Sequence, residues 1–459
     1  MDTVIGLIGL GVAIGFLVYM AFKGHGIIVV APIAAMIAIL FSYGIKGHFM
    51  ASYTITYMEG FANYAKNYFP IYLLGAIFAK LMDITGNALS IAHFCTEKLG
   101  KSRAVLSVVI TCAILTYGGV SLFVVAFVML PVATALFQEA DVPKRLIPGC
   151  IALGAFTFTM TALPGSPQVQ NTIPMQYFGT DSFAAPGLGV IASVIMFAGG
   201  MVWLTYRTNK AKAANEGYGN YNDQTEKTDG NIPNILMAAL PILIILVVNL
   251  VLSKIVYPSL DGSYMEEEFG STLAANSGTW SVLIGMLVSI LFLLVFNFNK
   301  VKDKIKDGLK TASIDSLTPL VNSCAVVGFG SVVKILPIFA VVSGAALSLS
   351  AIPLLSEVIS VNLLCAMTAS ASGGLSAALE VMGDTFLASG INPQVLHRLA
   401  SICSGGLDNL PYNGATVTVL ALCGMTHKQS YLDMFMVATV IPIIASLVVM
   451  VIGSFGLCF

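Results

Sequence analysis

The chain has 459 residues, 57% of them apolar and 10% charged, whereas a soluble globular protein carries about 25% charged residues. Such a composition cannot cover a water-facing surface, and at about 20 apolar residues per bilayer crossing it supplies about ten transmembrane helices. Lys plus Arg is 22 against 23 Asp plus Glu, so the charge balance points to no nucleic-acid partner, and none is expected.

In the first half, uninterrupted apolar runs predict spans near 3–22, 27–43, 68–84, 146–178 and 184–205. The run at 104–137 differs: Tyr117-Gly118-Gly119 at its midpoint predicts two short helices meeting at a tip, entering and leaving on one side. A polar linker, 206–232, follows. Spans then recur near 233–256, 279–297, 317–345, 396–424 and 431–457, with a second tipped run at 354–388 carrying Gly373-Gly374 at its midpoint. Continuous runs such as 235–252 exclude an outer-membrane barrel, whose strands alternate with period two. Segments 45–66 and 300–312 read as amphipathic surface helices. Met1-Asp2-Thr3 lacks a basic leader region, so the first apolar run reads as a retained helix. The eight cysteines sit mostly in apolar stretches without a CxxC pair and read as small core residues, and no metal site is suggested.

The two halves echo one another. Gly75 to Lys80 resembles Gly330 to Lys334, Gly86 corresponds to Gly344, the glycine pair 118 and 119 to 373 and 374, and Pro164 to Pro411. Five crossings is an odd number, so the second half sits upside down relative to the first, an inverted-topology repeat of the kind found in secondary transporters. The expected organisation is an all-α polytopic membrane protein with repeats at 1–205 and 233–459, each of five spans plus one re-entrant hairpin. Sixteen of the 22 Lys and Arg fall on one side of this arrangement, while only Lys46, Lys66, Lys254 and Arg398 fall on the other. The rich side is predicted cytoplasmic, with both termini extracytoplasmic in a cell (inner) membrane. Trp203 and Trp280 fall at predicted interfaces, and Lys80 and Lys334 read as snorkelling residues.

Four segments combine backbone breaks with small polar side chains: Thr116-Tyr117-Gly118-Gly119-Val120-Ser121, the stretch from Leu163 through Gly165, Ser166, Gln168 and Asn171 to Thr172, Ser370-Ala371-Ser372-Gly373-Gly374, and Gly405 through Asp408, Asn409 and Asn413 to Thr416. A helix broken inside a bilayer leaves N–H and C=O groups unpaired, which is tolerable where they line a cavity or meet a ligand. Half-helix N-termini suit a carboxylate and unwound carbonyls suit a cation, so a small organic anion can bind there without an arginine, and none occurs in the four segments. The candidate substrate-binding residues are therefore Thr116, Tyr117, Gly118, Gly119, Ser121, Gly165, Ser166, Gln168, Asn171, Ser370, Ser372, Gly373, Gly374, Asn409, Asn413 and Thr416. Close packing of small residues is the competing explanation. Asp408, an acid near mid-membrane, either exchanges the coupling proton or caps the half-helix beginning near Asn413. Glu380 and Asp384, a turn apart, are weaker candidates with a surface or capping role. No GxxxxGK[ST], no HExxH and no nucleophile, base and orienter set occurs, so an enzyme is not expected.

Through GxxxxK at 75–80, GSVVK at 330–334, LPGSP at 163–167 and the Asp-Asn-Pro break at 408–411, the chain resembles the gluconate permease (GntP) family of proton symporters over nearly its whole length. The resemblance implies proton-driven uptake of a small hydroxycarboxylate or monocarboxylate of the gluconate, glycerate or 3-hydroxybutyrate type by an elevator-type homodimer, with no cofactor besides the coupling ion. Gluconate carriers place a histidine in the first proline-rich motif, where this chain reads ALPGSPQVQNTIP, so a smaller acid fits better. Sodium-coupled di- or tricarboxylate carriers of the same superfamily are the alternative.

Overall fold

The structure, a computed structural model, describes residues 2–23, 25–44, 49–100, 103–120, 122–219, 221, 233–338, 353–368, 370–411 and 413–458. Ser121, Tyr412, Gly344 and residues 220 and 222–232 of the expected linker lie outside the described residues. Within them all regular structure is helical. The long apolar runs become helices because only a helix satisfies its own backbone in lipid. Five are long and apolar enough to cross a membrane, or six if one bent pair counts as a span.

The first part comprises α1 (Asp2–Phe22), α2 (Ile27–Tyr43), α3 (Phe49–Ile84) and α4 (Asn87–Leu99), the last bent 67° from α3. The first tipped run is α5 (Ala104–Tyr117) and α6 (Leu122–Glu139). Next come α7 (Ile147–Ala155), a single turn at Phe158–Thr161, α8 (Val169–Phe178) and α9 (Pro186–Ala213). The second part holds α10 (Ile235–Ser259), α11 (Leu273–Phe296) and α12 (Ile305–Ile335). It continues with α13 (Pro353–Thr368), α14 (Ala371–Ala388), α15 (Pro393–Ser404), α16 (Gly414–Leu422) and α17 (His427–Ser454).

Two expected surface helices are instead the beginnings of longer ones. Residues 49–66 run on into α3, and 305–312 into α12. The polar residues that suggested a separate surface piece face a polar cavity in α3 and extend beyond the apolar window in α12. Small residues let these two helices cross closely: a Cβ at Gly328 would lie 2.8 Å from the Tyr57 carbonyl, and the Tyr57 hydroxyl donates to the Ala325 carbonyl (3.0 Å). A small core around Leu17, Ala34, Ala38 and Phe329 joins α1 and α2 to this crossing. The larger core contains both tipped runs, the broken helices, α9 and α17. Seven of the eight cysteines are buried and all are free.

At one end of the bundle, Asp433 is wholly buried and gathers three elements. Its Oδ1 accepts from Arg207 Nε (2.7 Å) and Trp203 Nε1 (3.0 Å), and its Oδ2 from Arg145 (3.3 Å), which also holds Glu216 (2.7 Å). Trp203 is thus a hydrogen-bonding member of a charge cluster. Trp280, by contrast, packs against Tyr257 in a tilted arrangement, with ring centroids 6.1 Å apart. Lys80 and Lys334 do more than snorkel: they pair with Asp83 (3.2 Å) and Asp384 (3.7 Å) respectively.

Candidate functional site

The first tip closes α5 in a Schellman motif. Gly119 N–H donates to the Thr116 carbonyl (3.0 Å) and Val120 N–H to the Leu115 carbonyl (3.1 Å), with Gly119 at φ +91°, a conformation that favours glycine. This tip rests on the first helix break, where residues 162–168 separate the Phe158–Thr161 turn from α8. Tyr117 OH donates to the Pro164 carbonyl (2.8 Å) and Gln168 Nε2 to the Thr116 carbonyl (2.7 Å). Pro164 and Pro167 have no N–H and cannot continue a helix, and several of the groups around them find partners. Gly165 N–H donates to the Ser182 carbonyl (2.8 Å), Ser166 Oγ to the Thr159 carbonyl (2.9 Å), and Asn171 Nδ2 to the carbonyls of Ser166 (2.8 Å) and Ser182 (2.9 Å).

The residue that organises this break is one that the loop count had placed on the outside. Arg398, on α15, is 0% exposed, so it leaves the surface-charge count. Its Nε donates to the Ala184 carbonyl (2.9 Å), Nη1 to the Ala162 carbonyl (3.2 Å) and Asn171 Oδ1 (2.8 Å), and Nη2 to the Ser182 carbonyl (3.2 Å). All of these acceptors are neutral. The nearby Asp181 carboxylate is paired with Lys254 (2.7 Å). A buried charge is expensive unless satisfied. Here the hydrogen bonds are made to neutral oxygens, and Asp181 is the carboxylate within electrostatic reach.

The second tip is built differently. Ser370 is the N-cap of α14 and its Oγ accepts from Gly373 N–H (3.1 Å). Gly373 and Gly374 therefore lie inside the first turn of α14 and do not form the tip, because the serine starts the helix before the glycines are reached. Gly374 is needed for proximity: a Cβ there would overlap the Cys365 backbone on α13. From this tip a line of hydroxyls leads outward. Ser370 Oγ is 3.4 Å from Ser372 Oγ, which is 3.3 Å from Ser323 Oγ on α12; that oxygen is 3.3 Å from Tyr72 OH, itself 3.3 Å from Tyr64 OH on α3. Tyr64 lines a cavity of about 260 Å³ between α3, α12, α8 and α14, together with Asn67, Tyr68, Tyr177, Lys334 and Glu380. Glu380 thus faces this cavity, accepting from Tyr177 OH (3.4 Å), while Asp384 is surface-exposed. The sequence alone separates 45–66 from the span at 68–84 and singles out none of the α3 tyrosines, although Tyr64, Tyr68 and Tyr72 recur every fourth residue and mark one helix face.

At the second break, residues 405–413, Asn413 caps α16 by accepting from Thr416 N–H (2.9 Å). The cap is therefore Asn413, leaving Asp408 without that role. Asp408 is 4% exposed and its Oδ1 accepts from Asn409 Nδ2 (2.8 Å), which also donates to the Ala438 carbonyl (3.3 Å). Tyr431 OH donates to the Asn409 carbonyl (3.1 Å). Asn362 of α13 reaches Gly406, where a side chain would collide with it.

The structure thus gathers the candidates into three sets. Thr116, Tyr117, Gly118, Gly119, Gly165, Ser166, Gln168 and Asn171 belong to the first tip and break, which Arg398 joins through Asn171; Ser370 and Ser372, with the two glycines behind them, meet Ser323 through Ser372; Asp408, Asn409, Asn413 and Thr416 form the third. Most of these polar side chains are committed to the backbone of the breaks. Thr116 Oγ1 and Thr416 Oγ1 are buried without a hydrogen-bond partner among the described residues.

Paired broken helices beside two helical hairpins, in a chain of apolar helices, are the features of a polytopic membrane transporter. The family model for GntP family permeases matches residues 3–455, and the chain belongs to that family. It is 40% identical over 448 residues to YxjC, an uncharacterised transporter of Bacillus subtilis (strain 168), covering 93% of this chain and 94% of that one. Its fold is similar to the crystal structure of the Alcanivorax borkumensis YdaH transporter, with a TM-score of 0.59 at 15% identity over 90% of each chain.

Proposed function

We propose that the chain is a proton-coupled symporter of a small hydroxycarboxylate or monocarboxylate of the gluconate, glycerate or 3-hydroxybutyrate type. The observation that carries this reading is Arg398: a buried positive charge set at a helix break, beside a half-helix N-terminus without a side-chain cap, both of which favour a carboxylate. The hydroxyl line from Tyr64 to Ser370 and the unpartnered Thr116 and Thr416 suit a substrate bearing hydroxyl groups. Asp408 carries the coupling proton, since its neutral form is cheap in this buried break.

The reading includes an inverted repeat, 1–205 against 233–459. Its support is reciprocal packing: α5 lies on α7 as α13 lies on α15, and α6 lies on α16 as α14 lies on α8. The hairpins, broken helices, α9 and α17 form the moving unit of an elevator, and α1–α3 with α10–α12 the scaffold of a homodimer. The end bearing Arg145, Arg207 and Lys300 is cytoplasmic, which places both termini outside.

The test is uptake of labelled gluconate, glycerate and 3-hydroxybutyrate by proteoliposomes, with pH and sodium gradients imposed separately. A pH gradient alone should drive accumulation of one of them. Accumulation driven by sodium alone would overturn the coupling assignment, and a preference for di- or tricarboxylates would overturn the substrate class.

A further inference from the structure

Glu357 lies one turn inside α13, the first arm of the second hairpin, and the sequence reading passed over it. It is 0% exposed, and neither Oε1 nor Oε2 has a hydrogen-bond partner among the described residues. An intramembrane carboxylate without a partner is among the costliest groups a fold can keep, and its retention points to use.

The surroundings offer it no counter-charge. Of the helices packed on α13, α14 carries Glu380 and Asp384, which face the cavity and Lys334. On α15, Arg398 is spent on the first break, His397 Nδ1 is 2.6 Å from Thr180 Oγ1, and Cys403 is the ionisable group within electrostatic reach of Glu357. The stretch of α17 packed here, Ile441–Ser454, has no ionisable residue, and those of α1, Asp2 and Tyr19, lie at its two ends. Among the described residues nothing in this shell pairs with a carboxylate anion, which makes that anion costly here.

We propose that Glu357 is a second proton-carrying site, placed on the hairpin and distinct from the substrate-holding breaks. This deepens the symporter reading and rests on it. An O–H bond forms on a Glu357 carboxyl oxygen with a proton taken from water on the extracytoplasmic side. The same bond breaks when the moved hairpin delivers that proton to cytoplasmic water, returning the carboxylate. No other reactant is required. Protonation offsets the negative charge that the bound acid adds, so the loaded carrier with an unprotonated Glu357 is held back while the emptied carboxylate form returns, and that restriction is what couples the two fluxes.

The experiment compares wild type, Glu357→Gln and Glu357→Asp in proteoliposomes, using whichever acid of the labelled panel wild type accumulates. Glu357→Gln, a neutral isostere, should exchange external for internal labelled acid at near wild-type rate yet lose pH-driven accumulation at least tenfold; Glu357→Asp should recover part of it. Independently, wild type treated with a hydrophobic carbodiimide should be labelled at Glu357, with labelling falling as pH rises, which decides the matter even where a variant does not fold. Wild-type accumulation in Glu357→Gln, or absence of carbodiimide labelling at Glu357 at every pH, overturns the proposal while leaving proton symport standing. Failure of wild type itself to respond to a pH gradient overturns both.

Discussion

Arg398 shows why single positions resist reading from a sequence. It follows His397 in a segment whose apolar residues recur with helical spacing, and beside polar Asn392 and Gln394 it resembles a loop-proximal charge. Its partners are three mainchain oxygens and the Asn171 side chain, all over 200 positions away between Ala162 and Ala184, and no local pattern encodes such a distant contact. Arg398→Gln strands several of these carbonyls. Each buried unsatisfied group costs about 1–3 kcal/mol, so thermal unfolding in detergent should show a loss of at least about 3 kcal/mol with uptake abolished. Arg398→Lys should rescue neither, because a point charge cannot reproduce the planar fork. Gly119 is the opposite case, legible from its neighbours alone. Its φ of +91° and a Cβ position 3.1 Å from Pro167 predict that Gly119→Ala costs about 1–2 kcal/mol, read as a lowered unfolding midpoint.

Helices were legible wherever hydrophobicity alone decides. The expected span 27–43 is α2 to the residue, and both glycine-marked runs are helix pairs broken near the expected place. Boundaries failed where polar residues are buried against other polar residues, as along α3, since a window of residues cannot distinguish a polar cavity from water. The breaks could be read because proline and glycine act locally; the Ser370 cap moved the second glycine pair into a helix because a cap acts earlier in the chain than the flexible residues. At the junction of α7, α9 and α17, Arg145 beside Glu216 holds that carboxyl below its ordinary value of 4.5. A depressed folded-state value means the contribution is present above that ordinary value and fades as pH falls through the lower one. With the Glu216 side chain 42% exposed, solvent screening limits the effect to no more than about 1 kcal/mol. Unfolding midpoints should therefore drop on acidification below about pH 4.5, and Glu216→Gln should lower the neutral-pH midpoint slightly while flattening that acid limb. Trp203, one of two tryptophans, reports the same junction through its bond to Asp433; a shift in its fluorescence should accompany the acid limb.

For the protein as a whole, the account requires a unit made of both hairpins and both broken helices to move past α3 and α12. The hydroxyl line crosses that boundary at Ser323 and Ser372, whose oxygens are 3.3 Å apart. In a background with the eight native cysteines replaced, Ser323→Cys with Ser372→Cys should form a disulfide on oxidation, tying the second hairpin to the scaffold. The decisive measurement is uptake of the accumulated acid by this double variant in proteoliposomes, oxidised and then reduced. Movement of the hairpin unit predicts loss of uptake on oxidation and its return on reduction. Uptake that continues at the reduced rate while the disulfide is intact would contradict the moving-unit account.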